Sequence, residues 1–250
     1  MKVTVAMPAY NAAAFINEAV ESVLAQDCDS FELLIVDDGS RDATWRQLRK
    51  YEKHENVRLF RNGTNRGAGA TRNRLLSLAR GRYVTPCDAD DLLLPGALRR
   101  LSDYLDSHPR IGVVYGAVLE LMTDGKSRVV RPPMVHGKDA GDAWDLIENP
   151  VNHAGSMGRT ALVRQVGGYD EAVYSVDDWS LWMKLAEVAR FKYLRGEVYY
   201  LWRRHPRSLT QTDPNWHRDV GKIRDQAIQR RYGVDAPRRP GLQTRRTRRT

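Results

Sequence analysis

Apolar residues run along this chain in short blocks, and the spacing inside the blocks alternates between two forms. Val3 to Met7 is a strand-like run that Pro8 is expected to end, after which Phe15, Ile16, Ala19, Val20, Val23 and Leu24 recur at helical spacing with Asn11 as a candidate N-cap. "FELLIVDD" is the continuous apolar run expected of a strand covered on both faces, and Trp45, Leu48 and Tyr51 mark a helix behind it. "VRLFRN" predicts a third strand and "GAGATRNRLLSLARG" a third helix stopped by Gly81. "RYVTPCD" then predicts a fourth strand, before a helix opened by Pro95.

Strand and helix thus alternate for about a hundred residues, which predicts an α/β fold with a doubly wound, mostly parallel sheet. Ligands of such sheets collect at the carboxyl ends of the strands. The residues there are Pro8-Ala9-Tyr10-Asn11, Asp37-Asp38-Gly39-Ser40, Asn65-Arg66-Gly67 and Asp88-Ala89-Asp90-Asp91. After Met122 the pattern loosens through a stretch rich in turn formers, a candidate substrate-facing loop region. Periodicity returns in "VDDWSLWMKLAEVAR", read as a helix, "EVYYLWRRH", a strand, and "WHRDVGKIRDQAIQRRYG", a last helix.

Composition adds bounds. With 250 residues and 42% hydrophobic content the chain can build one sizeable α/β core. No apolar run approaches the length of a membrane span, and the N-terminus enters a strand without a signal-peptide block, so a cytoplasmic location is expected. Cys28 and Cys87 lack metal-binding spacing and are expected to be ordinary thiols. The net charge of +9 resides mainly in a tail, since "RRPGLQTRRTRRT" from Arg238 carries six arginines and no acid. This tail is expected to be disordered, and as a basic segment it suits peripheral contact with an anionic membrane face.

Two acidic groups close strands of the same sheet. Carboxylates about 4 Å apart repel by roughly 4 kcal/mol at an effective dielectric near 20, so a cluster such as Asp88, Asp90 and Asp91 calls for a cation or for separation into solvent. Asp90 or Asp91 as a cap for the following helix accounts equally well for that stretch taken alone. Asp37-Asp38 would face the same crevice, and capping does not explain both groups.

Read in order, "PAYN", "VDDGS", "NRGAGATRN", "CDADD", "VGGYDE", "VDDWSLWMKLA" and "LWRRHPRSLT" resemble the family 2 glycosyltransferases of the GT-A fold over roughly Val3 to Thr210. The resemblance implies a GT-A domain over 1–232, with a nucleotide-binding half to about 122 and an acceptor-binding half from 123, followed by the tail from 233. It implies that Pro8, Tyr10, Asp38, Arg72 and Asp88 face the nucleotide of a sugar-nucleotide donor. Asp88 and Asp90, with His205, would bind Mn²⁺ or Mg²⁺, hard ions suited to oxygen ligands. Asp178 would be the general base that deprotonates the hydroxyl of a saccharide, lipid-linked or other acceptor, with inversion at the anomeric carbon.

Three positions depart from the family pattern. Pro86 removes a ladder donor and is expected to bulge its strand or lift it from the sheet, Asp177 stands where a glutamate is usual, and Lys184 where an arginine often stands. Competing readings are a sugar-1-phosphate nucleotidylyltransferase, which would want a glycine-rich loop after the first strand, and a non-catalytic nucleotide- or nucleic-acid-binding protein. Acidic strand ends argue against specific nucleic-acid binding.

Overall fold

The structure is a computed structural model, and it describes residues 1–132, 151 and 153–233. Its first half repeats strand and helix: β1 (Val3–Ala9), α1 (Ile16–Leu24), β2 (Phe31–Asp37), α2 (Thr44–Leu48) with a 3-10 turn at Arg49–Tyr51, β3 (Val57–Arg61), α3 (Ala68–Leu78) and β4 (Tyr83–Pro86). β5 (Leu92–Leu93), α4 (Ala97–Ser107), β6 (Ile111–Leu121), β7 (Ser127–Val130), β8 (Ser156–Arg159) and α5 (Thr160–Gln165) follow. α6 (Asp177–Ala186), β9 (Arg190–Arg203), α7 (Leu209–Thr212) and α8 (Trp216–Tyr232) complete it. The candidate loop region is largely, and the arginine tail entirely, outside the described residues.

One sheet runs β3-β2-β1-β4-β8-β6-β9-β5, with β7 paired to β6. β3, β2, β1 and β4 are parallel, β8 is antiparallel to both β4 and β6, and β6 and β9 are parallel. The chain moves outward from β1 to β3 and then returns to place β4 on the other side of β1. The crevice beyond β1 and β4 is therefore the switch point at which doubly wound sheets bind ligands.

Alternation within each strand divides the core into two layers. Val3, Val5, Met7, Leu33 and Ile35 pack with α1 and α4, whereas Ala6, Leu34, Val36 and Val84 pack with α3, α6 and α8. Each fully buried leucine, isoleucine or valine contributes about 1.5–3 kcal/mol, so a strand apolar on both faces belongs between two helical layers. Cys87 is buried and Cys28 half-buried, both as free thiols.

Several local expectations change. β1 continues through Pro8, which stays in register with Val36 at a point where β4 has already left β1. Asn11 does not cap α1, which starts at Ile16; it takes a positive φ of 49° and ties loops together instead. α3 ends at Ala79 rather than at Gly81. Gly81 serves close packing: a Cβ there would lie 2.4 Å from the backbone nitrogen of Thr4. Pro86 remains paired with Ala6 and neither bulges nor leaves the sheet, because the β4–β8 ladder has ended at Val84. β6 is an 11-residue strand that the sequence reading passed over, and β9 starts well before "EVYY".

Candidate active site

The loops at the carboxyl ends of β1 and β2 are cross-tied. The Asn11 N–H donates to Ser40 Oγ at 2.9 Å, Arg41 N–H donates to Asn11 Oδ1 at 2.9 Å, and Ala12 N–H donates to Thr44 Oγ1 at 2.8 Å. Gly39 has φ 72°, and a Cβ on it would come within 2.9 Å of the Thr64 carbonyl carbon, so "DGS" requires glycine at its centre. Pro8 is half-buried at the end of β1, and Tyr10 beyond it is exposed.

Asp38 is buried and its carboxylate is occupied. Asn62 Nδ2 donates to it at 2.6 Å, Arg66 N–H at 2.9 Å and Gly67 N–H at 3.0 Å, which pins the loop ahead of α3. Asp37 is fully buried; Arg61 Nε lies 2.9 Å from its Oδ2 as an ion pair, though neither oxygen of Asp37 has a hydrogen bond of good geometry.

The acids after β4 divide their partners. Asp88 accepts from an Arg72 Nη at 2.9 Å, while its own N–H donates to the Tyr200 hydroxyl at 2.8 Å. Burial opposes its charge, but the Arg72 guanidinium outweighs burial and holds the carboxyl below its usual range. Asp90 contacts His205 Nε2 at 2.9 Å, and its carboxyl is pushed up by burial and by Asp88. Buried Asp91 accepts from the Arg203 N–H at 2.8 Å and is pushed further up by burial and its two acidic neighbours.

Oxygen donors in this excess, with an imidazole alongside, fit a divalent cation. Among the described residues, however, no three such side chains are arranged to hold a metal on their own. The chain supplies an open set of donors rather than a closed cage.

Across the crevice, Asp177 and Asp178 open α6. Arg72 reaches over from α3 and donates its other Nη to Asp177 at 2.7 Å, with the guanidinium 5.9 Å from the centre of the Tyr169 ring. Asp177 is buried by this pairing, whereas Asp178 is half-buried and, among the described residues, accepts from its neighbour Trp179 N–H, at 2.7 Å. A helix N-terminus ordinarily favours a carboxylate. Burial and the adjacent Asp177 prevail here, and the Asp178 carboxyl is pushed up to about 7.

The structure thus brings Arg72, Asp88 and the Asp177-Asp178 pair to one place, and Asp90 with His205 beside it. Two neighbours were missed by sequence reasoning. His153, just past the stretch read as unpatterned, is buried between Tyr169 and Trp182 and is pushed down to about 3 by burial and Arg72, so it is neutral. Tyr169 lies in the noticed motif "VGGYDE", but nothing local signals that its ring underlies Arg72. Lys184 is pushed down by burial and donates to the Gly168 carbonyl, a structural contact.

A family model described as Glycosyl transferase family 2 matches residues 4–167. The chain belongs to glycosyl transferase family 2. It is 30% identical over 208 residues to EpsE of Bacillus subtilis (strain 168), which carries a glycosyltransferase name, with 80% of this chain and 72% of that one covered. It is also 30% identical to chondroitin synthase of Escherichia coli, covering 79% of this chain but 28% of that one, so it matches only part of that longer protein. Among solved structures, S. aureus TarS 1-349 in complex with UDP-GlcNAc superposes with a TM-score of 0.77 at 25% identity, over 92% of this chain and 67% of that one. The mixed sheet with helices on both faces is accordingly the GT-A fold of this family 2 enzyme. No helix among the described residues is long and apolar enough to cross a membrane.

Proposed function

We propose that this family 2 enzyme transfers a sugar from a nucleoside diphosphate to an acceptor hydroxyl with inversion, using a divalent cation, Mn²⁺ or Mg²⁺, and Asp178 as the base. The reading is carried by one observation: an open carboxyl near neutrality, Asp178, stands across Arg72 from the acidic loop after β4. A base that titrates near the working pH is well matched to accepting a hydroxyl proton. The neighbouring Asp177 is tied to Arg72, which leaves Asp178 as the free acceptor of the pair.

In this scheme Pro8, Tyr10 and the loop held by Asp38 form the side of the crevice that takes the base and ribose. Asp88, Asp90 and His205 would hold the cation. When bound, the cation supplies a Lewis acid for the charge that builds on the departing diphosphate. The acceptor hydroxyl forms its bond to the anomeric carbon as the bond to the diphosphate breaks, and its proton passes to Asp178. One displacement with one base needs no nucleophile from the enzyme. Residues up to about 122 form the donor side and residues 123–232 contribute the acceptor side. The basic tail draws the enzyme toward anionic surfaces at up to about 1 kcal/mol per basic residue. The UDP-GlcNAc complex of the TarS structure supports a sugar-nucleotide donor here.

The test is calorimetry with UDP, GDP and dTDP. Binding of at least one is expected with Mn²⁺ and is expected to weaken strongly in EDTA, since the diphosphate would otherwise meet an uncompensated acidic cluster. Equal affinity in EDTA would remove the cation from the scheme.

A further inference from the structure

Arg72 touches both sides of the crevice. One Nη donates to Asp88 at 2.9 Å and the other to Asp177 at 2.7 Å, and the side chain is only 11% exposed. Asp88 belongs to the loop after β4, while Asp177 opens α6, 105 residues beyond Arg72 in the chain. Two carboxylates facing each other across such a gap repel. A guanidinium between them reverses the sign, and its flat fork fixes the direction of each. Burial alone would favour losing the Arg72 proton, but Asp177 and Asp88 hold its pKa well above the usual range.

The next residue on α3 braces the arrangement. Tyr169 N–H donates to Asn73 Oδ1 at 2.8 Å, and Asn73 Nδ2 donates to the Tyr169 carbonyl at 3.0 Å and to Glu171 at 2.8 Å. These bonds hold the Tyr169 ring beside the guanidinium. Arg72 and Asn73 together attach the α6 side of the crevice to α3.

We infer that Arg72 is a positioning residue whose two ion pairs fix Asp177 against Asp88, leaving Asp178 alone of the acidic pair open to the reacting hydroxyl. This rests on the reading of Asp178 as the base. It departs from the expectation that Arg72 contacts the nucleotide directly, because both Nη ends of its fork already hold carboxylates. Its effect belongs to turnover and not to donor affinity.

The experiment compares Arg72→Gln, Arg72→Lys, Asp177→Asn and the Arg72→Gln/Asp177→Asn double variant in the full chain. Binding is measured by calorimetry with whichever of UDP, GDP and dTDP binds in Mn²⁺, and turnover with the matching sugar conjugate. Arg72→Gln is expected to lower kcat by about tenfold or more while changing the diphosphate Kd by less than about threefold. Arg72→Lys keeps the charge without the fork and restores only a minor part of the rate. In the Asp177→Asn background, Arg72→Gln is expected to lower kcat by clearly less than it does in the native chain, because one of its two partners, Asp177, is already gone while Asp88 remains.

A Kd rising about tenfold with kcat unchanged would make Arg72 a donor contact and overturn the inference, as would equal losses in both backgrounds. If Arg72→Gln fails to fold, Arg72→Lys and Asp177→Asn carry the same comparison of Kd against kcat. Full turnover in Asp178→Asn would remove the base reading separately. The energetic coupling of Arg72 to Asp177, read from urea unfolding of the four variants, would then still judge the clamp.

Discussion

The two ends of this sheet hold buried carboxylates that behave in opposite ways. Where the strands begin, Glu32 on β2 is 2% exposed and fully engaged: Thr4 Oγ1 donates to it at 2.6 Å, Arg80 N–H at 2.7 Å and Arg58 Nη1 at 2.8 Å. Burial works against its charge, yet these donors hold the carboxyl below its usual range. Where the strands end, Asp178 is less exposed to donors, with one hydrogen bond among the described residues, from Trp179 N–H, and its carboxyl rises to about 7. At Glu32 the donors outweigh burial, whereas at Asp178 burial and the adjacent Asp177 prevail.

The same contrast extends to the neighbours. Among the described residues near Asp178, Arg72 Nε, both His153 ring nitrogens and Trp182 Nε1 have no hydrogen-bond partner. Polar groups left in that condition are costly to the fold.

Breaking the strand-end acid is expected to have the largest effect. Asp178→Asn keeps the shape but accepts no proton at neutral pH, so turnover should fall by a factor on the order of 10² to 10⁴ with diphosphate affinity retained. Unchanged turnover in a steady-state assay would reassign the base. Breaking the strand-start acid should do the reverse: Glu32→Ala leaves Thr4, Arg58 and the Arg80 amide without their acceptor and should cost about 3 kcal/mol in urea unfolding. Turnover per folded molecule should not change, and a specific loss of turnover would show that the two ends are coupled.

A subtler outcome separates the two acids by pH. A carboxyl whose folded pKa is raised contributes stability that is complete below its unfolded value and is lost as pH rises through the folded value, for Asp178 between about 4 and 7. Glu32, with a lowered value, contributes stability above its unfolded value and loses it as pH falls through the folded one. At pH 8, Asp178→Asn should therefore melt higher than the native chain, by about 2–4 °C, the shift that roughly 1 kcal/mol produces at this size. The half-buried setting of Asp178 argues for no more than that. An equal or lower Tm at pH 8 would contradict its raised pKa. In the same range the native enzyme's kcat/KM should climb with pH and level off above about 7.

Much of this was legible because the relevant signals are local. Continuous apolar runs marked β2 and β4, helical spacing marked α1 and α6, and the acidic residues after β2 and β4 stood at strand ends. β6 was passed over although it is as apolar as β2. Its two glycines conceal tertiary demands: a Cβ on Gly112 would meet Ala189, and one on Gly116 would meet Tyr199. The pairing of Arg72 with Asp177 had no local signal, since the residues lie 105 positions apart and each is ordinary in its own helix. Asn11 was misread for a related reason: its partners, Ser40 and Arg41, come from another loop.

The sheet order also sets a timetable. Among the described residues β5 pairs with β9 alone, and two further bonds reach 112 residues along the chain: the Asp88 N–H donates to Tyr200, and Asp91 accepts from the Arg203 N–H. As the chain is synthesised, β1 to β4 can find one another among nearby residues and Arg72 can reach Asp88, whereas the ties from Tyr200 and Arg203 wait until β9 has emerged. Truncation just before β9 would leave a parallel half-sheet without the Arg203 tie to Asp91 and the His205 contact to Asp90. The acidic loop after β4 thus gains its full set of ties only after β9 joins the sheet, late in synthesis.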